Sequence, residues 1–155
     1  PLTSVTGSGE IMDSVHPSGL GGTFIGNPLS CVAAQEILKE VATPKFREKS
    51  EEVAEQLKEG LAGISSRVKV VGDTRGLGAM QALELVTDRD TKNPAANIAS
   101  LAVEHARAKG LLLMTSGIYS NAIRILVPLT INKEDLARGL QILEESIEYA
   151  AAKKV

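Results

Sequence analysis

The stretch Gly72-Asp73-Thr74-Arg75-Gly76 constrains the fold more than any other part of the chain. It lies between two apolar runs, Val68 to Val71 and Leu77 to Val86. A connection of that length cannot carry the chain over a sheet and back into parallel register, because such a crossover takes roughly a dozen residues or more. The two runs are therefore expected to be short strands, joined or interrupted by a glycine-flanked bend, in a mostly antiparallel sheet.

Helices are expected around that sheet. Asn27-Pro28, Thr43-Pro44 and Asn93-Pro94 each put a good N-cap side chain before a proline suited to the first helical position. The first helix would gather Leu29, Val32, Ala33, Ile37, Leu38 and Val41 on one face. The second would run to about Leu61 behind a thin seam of Phe46, Val53, Leu57 and Leu61, half exposed. The third carries Ile98, Leu101, Ala102, His105 and Ala106 at helical spacing and ends at Lys109-Gly110, a natural C′ glycine. Two further strand candidates, Leu111 to Met114 and Ile123 to Val127, flank a loop-like segment. Asn132 then caps a last helix, with Asp135 where a capping box prefers Glu or Gln and a stripe of Leu136, Leu140, Leu143, Ile147 and Ala150. The fold class expected is α+β, with helices on one face of a small, mostly antiparallel sheet. Residues 27–62 read as linking helices and 63–155 as the α+β domain. Residues 1–26, with the alternating stretch Leu2 to Gly7, read as one strand and a glycine-rich loop that would pack on something else.

The 155 residues, 43% of them apolar, suffice for one hydrophobic core. The 17 basic and 19 acidic side chains are interspersed without a basic block, so a nucleic-acid partner is not expected. Apolar runs such as Gly110 to Met114 are far too short to span a bilayer and there is no signal-peptide pattern, so the reading is a soluble protein with no membrane partner. Cys31 is alone, which excludes an intrachain disulfide and fits a reducing, cytoplasmic setting; between Leu29 and Val32 it reads as a small core residue rather than a nucleophile. The start at Pro1 reads as a piece of a longer chain, or as removal of a tag or initiator methionine.

Chemistry is sparse. Gly19 to Pro28 is glycine-rich, offers the Thr23 hydroxyl and leads into a capped helix, so it is either an ordinary tight loop or a phosphate contact. It lacks the Gly-Lys-Ser/Thr ending of a nucleotide P-loop. Arg75 on its bend could clamp a carboxylate through paired hydrogen bonds or be a surface arginine. Arg124, between Ile123 and Ile125, reads as structural or solvent-facing. His16 and His105 have no Asp, Glu or Cys at metal-ligand spacing, so no metal site is expected, and His105 reads as a packed, hydrogen-bonded residue. Glu84, flanked by apolar residues, has no evident role.

Three segments carry a family resemblance. Gly21-Gly22-Thr23-Phe24-Ile25-Gly26-Asn27-Pro28-Leu29 resembles the Gly-Gly-Thr segment of class III pyridoxal-phosphate-dependent aminotransferases. Arg75-Gly76-Leu77-Gly78-Ala79-Met80, followed by Glu84-Leu85, resembles their C-terminal arginine motif. The tail Ile123 to Ile131 is similar to the 4-aminobutyrate branch. The resemblance implies the C-terminal small domain of a fold-type I aminotransferase, preceded by a remnant of the large domain. It implies pyridoxal phosphate as cofactor, with Gly22 and Thr23 reaching its phosphate across a homodimer interface, and Arg75 pairing with the carboxylate of amino acid and 2-oxo acid substrates. The family's Schiff-base lysine would lie upstream of Pro1-Leu2, and Lys39, Lys49, Lys58 and Lys109 fall on polar faces or ends of expected helices. No catalytic residue is therefore expected in this chain, which should be inactive alone. A different reading is a non-catalytic α+β module that binds a small carboxylate through Arg75 and the glycine loop.

Overall fold

A computed structural model of the chain describes residues 2–153. They divide into two compact units, one ending at Arg47 and the other beginning at Glu48. The first holds a short helix α1 (Gly9–Met12) and helix α2 (Pro28–Val41). The second begins within helix α3 (Pro44–Arg67) and continues through β1 (Val71–Leu77), β2 (Met80–Leu85), α4 (Ala96–Ala108), β3 (Met114–Ser116), β4 (Ala122–Leu126) and α5 (Lys133–Ala152).

The four strands form one antiparallel sheet in the order β1-β2-β4-β3. Alternation divides it into two faces. Leu83, Leu85, Ile123 and Ile125 point inward and are buried, joined by Val53, Leu57, Leu61 and Ile64 of α3, Ala99 and Ala102 of α4, and Leu136, Leu143 and Ile147 of α5. The other face carries Asp73, Arg75, Met80, Arg124, Leu126 and Met114, all exposed. Helices thus cover one face, as the α+β reading requires.

Capping explains most of the helix starts. The Asn27 side chain accepts from the Ser30 amide at 3.1 Å, Thr43 Oγ1 from the Phe46 amide at 3.2 Å, and Asn132 Oδ1 from the Asp135 amide at 2.7 Å. Asn132 Nδ2 also donates to the Asp135 carboxylate at 2.8 Å, so aspartate serves where glutamate is usual. Helix α3 continues past Leu61 to Arg67 because Ile64 prolongs its buried seam.

Several local expectations are corrected. The bend expected at 72–76 is strand: Asp73 to Leu77 pair with Glu84 to Met80, and the chain turns at Gly78-Ala79. Gly72 instead sits at a register shift between Val71 and Asp73, the position of a β-bulge. The two-residue turn takes a left-handed φ of +57° at Gly78, which tight hairpins favour. Gly76 is required for a different reason: a Cβ there would run into the Met80 carbonyl oxygen and the Gln81 backbone. Asn93-Pro94 does not start α4. Pro94 bridges Val86, the Ala95 amide donates to the Leu85 carbonyl at 3.0 Å, and the helix begins at Ala96 with no side-chain cap. Leu111 to Leu113 lie outside the ladder, and β3 starts at Met114. The strand expected in the first 26 residues is not formed among residues 2–26, where a single turn of helix is the only regular element; Pro1 lies outside the described residues. Alternation needs a partner strand to become β structure, and the first unit contains none.

Candidate functional site

The glycine-rich loop belongs to the first unit. Gly22 to Gly26 form a turn in which the Ile25 amide donates to the Gly22 carbonyl at 3.1 Å, and the Asn27 amide to that of Phe24 at 3.3 Å. Thr23 is exposed. A Cβ built on Gly22 would meet nothing within 4 Å, so the loop is open to an approaching group at that point. Helix α2 starts immediately beyond, with Pro28 at its first position.

Arg75 belongs to the second unit, on the open face of the sheet. Its Nη1 lies 2.7 Å from Asp73 Oδ2 and 2.5 Å from Glu84 Oε2. The register accounts for both contacts, since Asp73 is two residues back on the same face and Glu84 pairs with Asp73 across the hairpin. The guanidinium holds its proton more firmly than usual, through the hydrogen bond to Asp73 first and that to Glu84 second. Glu84 is tethered on its other side, where the buried Asn121 amide reaches Glu84 Oε1 at 3.4 Å and the Leu85 carbonyl at 2.8 Å. This carboxylate pair was not found from sequence, because Asp73 and Glu84 become neighbours of Arg75 only once the turn is placed at Gly78-Ala79. Arg124 occupies the same cross-strand row, opposite Ala82, which is itself opposite Arg75. Its side chain forms no hydrogen bond or ion pair among the described residues. A largely apolar cleft of about 300 Å³ lies mainly on the covered side of the sheet, where Leu57, Ile125, Leu136, Leu140 and Leu143 line it.

The class-III aminotransferase family model matches residues 1–147. The chain belongs to the class-III aminotransferases. It is 47% identical over 151 residues to the 5-aminovalerate aminotransferase of Pseudomonas aeruginosa, covering 97% of this chain and 35% of that protein. It is 45% identical over 150 residues to the 4-aminobutyrate aminotransferase of Escherichia coli, again covering 97% and 35%. Among solved structures, a Bacillus anthracis aminotransferase superposes with a TM-score of 0.77 at 29% identity, over 90% of this chain and 34% of that one. A transaminase from the marine bacterium Virgibacillus, at 23% identity, shares the fold with a TM-score of 0.79 over 94% of this chain and 34% of its own. The chain thus spans about a third of the length of the relatives it matches.

For a class-III aminotransferase the implied cofactor is pyridoxal phosphate, and the loop fits its phosphate end. An exposed threonine hydroxyl, main-chain N–H groups and a glycine with open space beside it are the donors and the clearance a phosphate needs. Of the lysines, Lys39, Lys109 and Lys133 are engaged with Glu36, Glu145 and Glu52.

His105 is packed and hydrogen-bonded. The Ser146 hydroxyl donates to the Ile142 carbonyl at 2.6 Å, so in its 3.0 Å contact with His105 Nδ1 the ring nitrogen is the donor. The ring stacks on Tyr149 at 4.1 Å between centroids. His16 Nδ1 contacts the carbonyl of its neighbour Pro17, and Cys31 is half-buried on α2. Among the described residues no helix is long and apolar enough to cross a membrane.

Proposed function

We propose that the chain is the C-terminal part of an aminotransferase that moves the amino group of an ω-amino acid of the 4-aminobutyrate or 5-aminovalerate type to 2-oxoglutarate. The carrying observation is the 45–47% identity to enzymes with those two names over nearly the whole chain. Bound pyridoxal phosphate supplies the electron sink such a transfer needs. Gly22 and Thr23 hold its phosphate through a main-chain N–H and a hydroxyl. The open sheet face binds the substrate carboxylate.

Two arginines on that face are candidates for the carboxylate. The family motif offers Arg75, which would have to exchange Asp73 and Glu84 for the substrate. The geometry favours Arg124, whose exposed side chain has no internal carboxylate to displace. The 155 residues alone do not transaminate on this reading; of the described lysines, Lys39, Lys109 and Lys133 are engaged by carboxylates, and an amine held in that way is poorly placed to meet the cofactor's aldehyde.

Incubating the full gene product that contains these residues with 4-aminobutyrate or 5-aminovalerate and 2-oxoglutarate tests the reading. Glutamate formation is expected, together with absorbance in the region of a protein-bound pyridoxal chromophore. A product that binds small carboxylates but shows neither would favour the non-catalytic module instead.

A further inference from the structure

The open sheet face presents its charges in two adjacent rows. One row runs Arg75–Ala82–Arg124, the next Asp73–Glu84–Ala122. Neighbouring strands lie about 4.8 Å apart, so the two arginine backbones stand roughly 10 Å from each other across the small Ala82 side chain. Without the second row, this would be a platform for a dicarboxylate, one guanidinium for each end. Glu84, on the central strand β2, stands diagonal to both arginines, within reach of either. It is engaged on the Arg75 side: its Oε2 lies 2.5 Å from Arg75 Nη1, Asp73 Oδ2 lies 2.7 Å from the same nitrogen, and Asn121 holds the other carboxylate oxygen at 3.4 Å. Two carboxylates therefore face one guanidinium at Arg75. A further carboxylate arriving there would have to displace them against like-charge repulsion.

From this arrangement we propose that Glu84 is a specificity-determining residue of the face: with Asp73 it occupies Arg75, so that the row accepts one carboxylate, at Arg124, instead of two. The proposal rests on the reading of this face as the carboxylate site. Glu84 acts through Arg75 and is a positioning residue, not a catalytic one.

The test uses the full gene product that contains these residues, isotopically labelled in arginine and titrated at low salt with butyrate and with glutarate, following the arginine Nε–H resonances. In the unsubstituted chain both acids are expected to shift Arg124 and leave Arg75 unmoved. In Glu84→Gln, glutarate is expected to bind about tenfold tighter through its second carboxylate and to shift Arg75 as well, with butyrate affinity unchanged. Asp73→Asn, at a half-exposed position, is expected to move the glutarate-to-butyrate ratio in the same direction, and decides the matter if Glu84→Gln does not fold. A shift of Arg75 by glutarate in the unsubstituted chain, or an unchanged ratio in the folded variants, overturns the proposal while leaving the carboxylate face standing. If neither acid shifts Arg124, the reading of the face falls and the inference with it.

Discussion

At the scale of single residues, the charged groups that matter most are those whose partners come from another element. Arg67 on α3 grips Glu144 on α5 with its Nε at 2.5 Å and one terminal nitrogen at 2.8 Å, and the carboxylate of Glu144 is held below its ordinary value of 4.5 by that hydrogen bond. Asp88 is likewise held below 3.8, by the Thr91 amide first and then the Thr91 hydroxyl. A carboxyl depressed in the folded state binds its proton more readily when unfolded. Its contribution is therefore full above the ordinary carboxyl range and is lost as pH falls through the lower, folded value. Denaturation midpoints measured from pH 6 downward should fall below about pH 4.5, and Glu144→Gln should flatten that fall. An equally steep fall in the variant would remove Glu144 from the account. Gly76→Ala should cost about 1–3 kcal/mol in urea unfolding, since the new Cβ meets backbone that cannot move aside cheaply. A loss below about 0.5 kcal/mol would mean that the hairpin relaxes around it.

At the scale of elements, legibility followed the range of the interaction that fixes each boundary. Asn27, Thr43 and Asn132 cap through contacts three residues away, and a sequence displays those directly. Asn132→Ala should accordingly cost α5 about 1 kcal/mol in thermal or urea unfolding, and no change would show that its cap is redundant. The Pro94 signal failed because a longer-range pairing competes with the cap, as Val86, Leu85 and Thr87 draw residues 93–95 into an extended path. The hairpin was misplaced for a related reason. Gly72 and Gly76 resemble turn residues, but one sits at a bulge and the other at a close backbone approach, while the turn itself is Gly78-Ala79. The end of α3 was also invisible to local rules. Arg89, about twenty residues on, donates to the carbonyls of Lys69 and Val68 at 3.1 Å each and also to that of Ser65, closing the exit of the helix. Arg89→Ala should lower stability by about 1.5–3 kcal/mol, the scale of hydrogen bonds to a charged group, and an unfolding midpoint unchanged from the parent would contradict that role.

At the scale of the whole molecule, the two units differ in how they satisfy their apolar residues. The unit from Glu48 onward buries a continuous core beneath its sheet. Residues 2–47 contain no buried side chain, and Val5, Ile11, Leu20, Phe24, Ile25, Leu29, Ile37 and Leu38 are all exposed. Apolar surface on that scale marks an interaction site or an aggregation liability. The chain is expected to self-associate through residues 2–26, and light scattering on the purified protein should give a mass of at least two copies; a monomer at micromolar concentration would refute this. The family resemblance was legible because its motifs are contiguous in sequence. Which arginine stands open was not, since that depends on cross-strand pairing. The central claim is that the open sheet face binds the substrate carboxylate and that Arg124, rather than the internally paired Arg75, receives it. The most direct measurement compares Arg124→Ala with Arg75→Ala in the full gene product, reading KM for the 2-oxo acid, cofactor affinity and thermal stability together. Arg124→Ala should weaken the carboxylate substrate by about 1.5–3 kcal/mol while the cofactor stays bound, and Arg75→Ala should lower stability with substrate affinity changed by less than about threefold. Loss of substrate affinity in Arg75→Ala, with Arg124→Ala unaffected, would contradict the account.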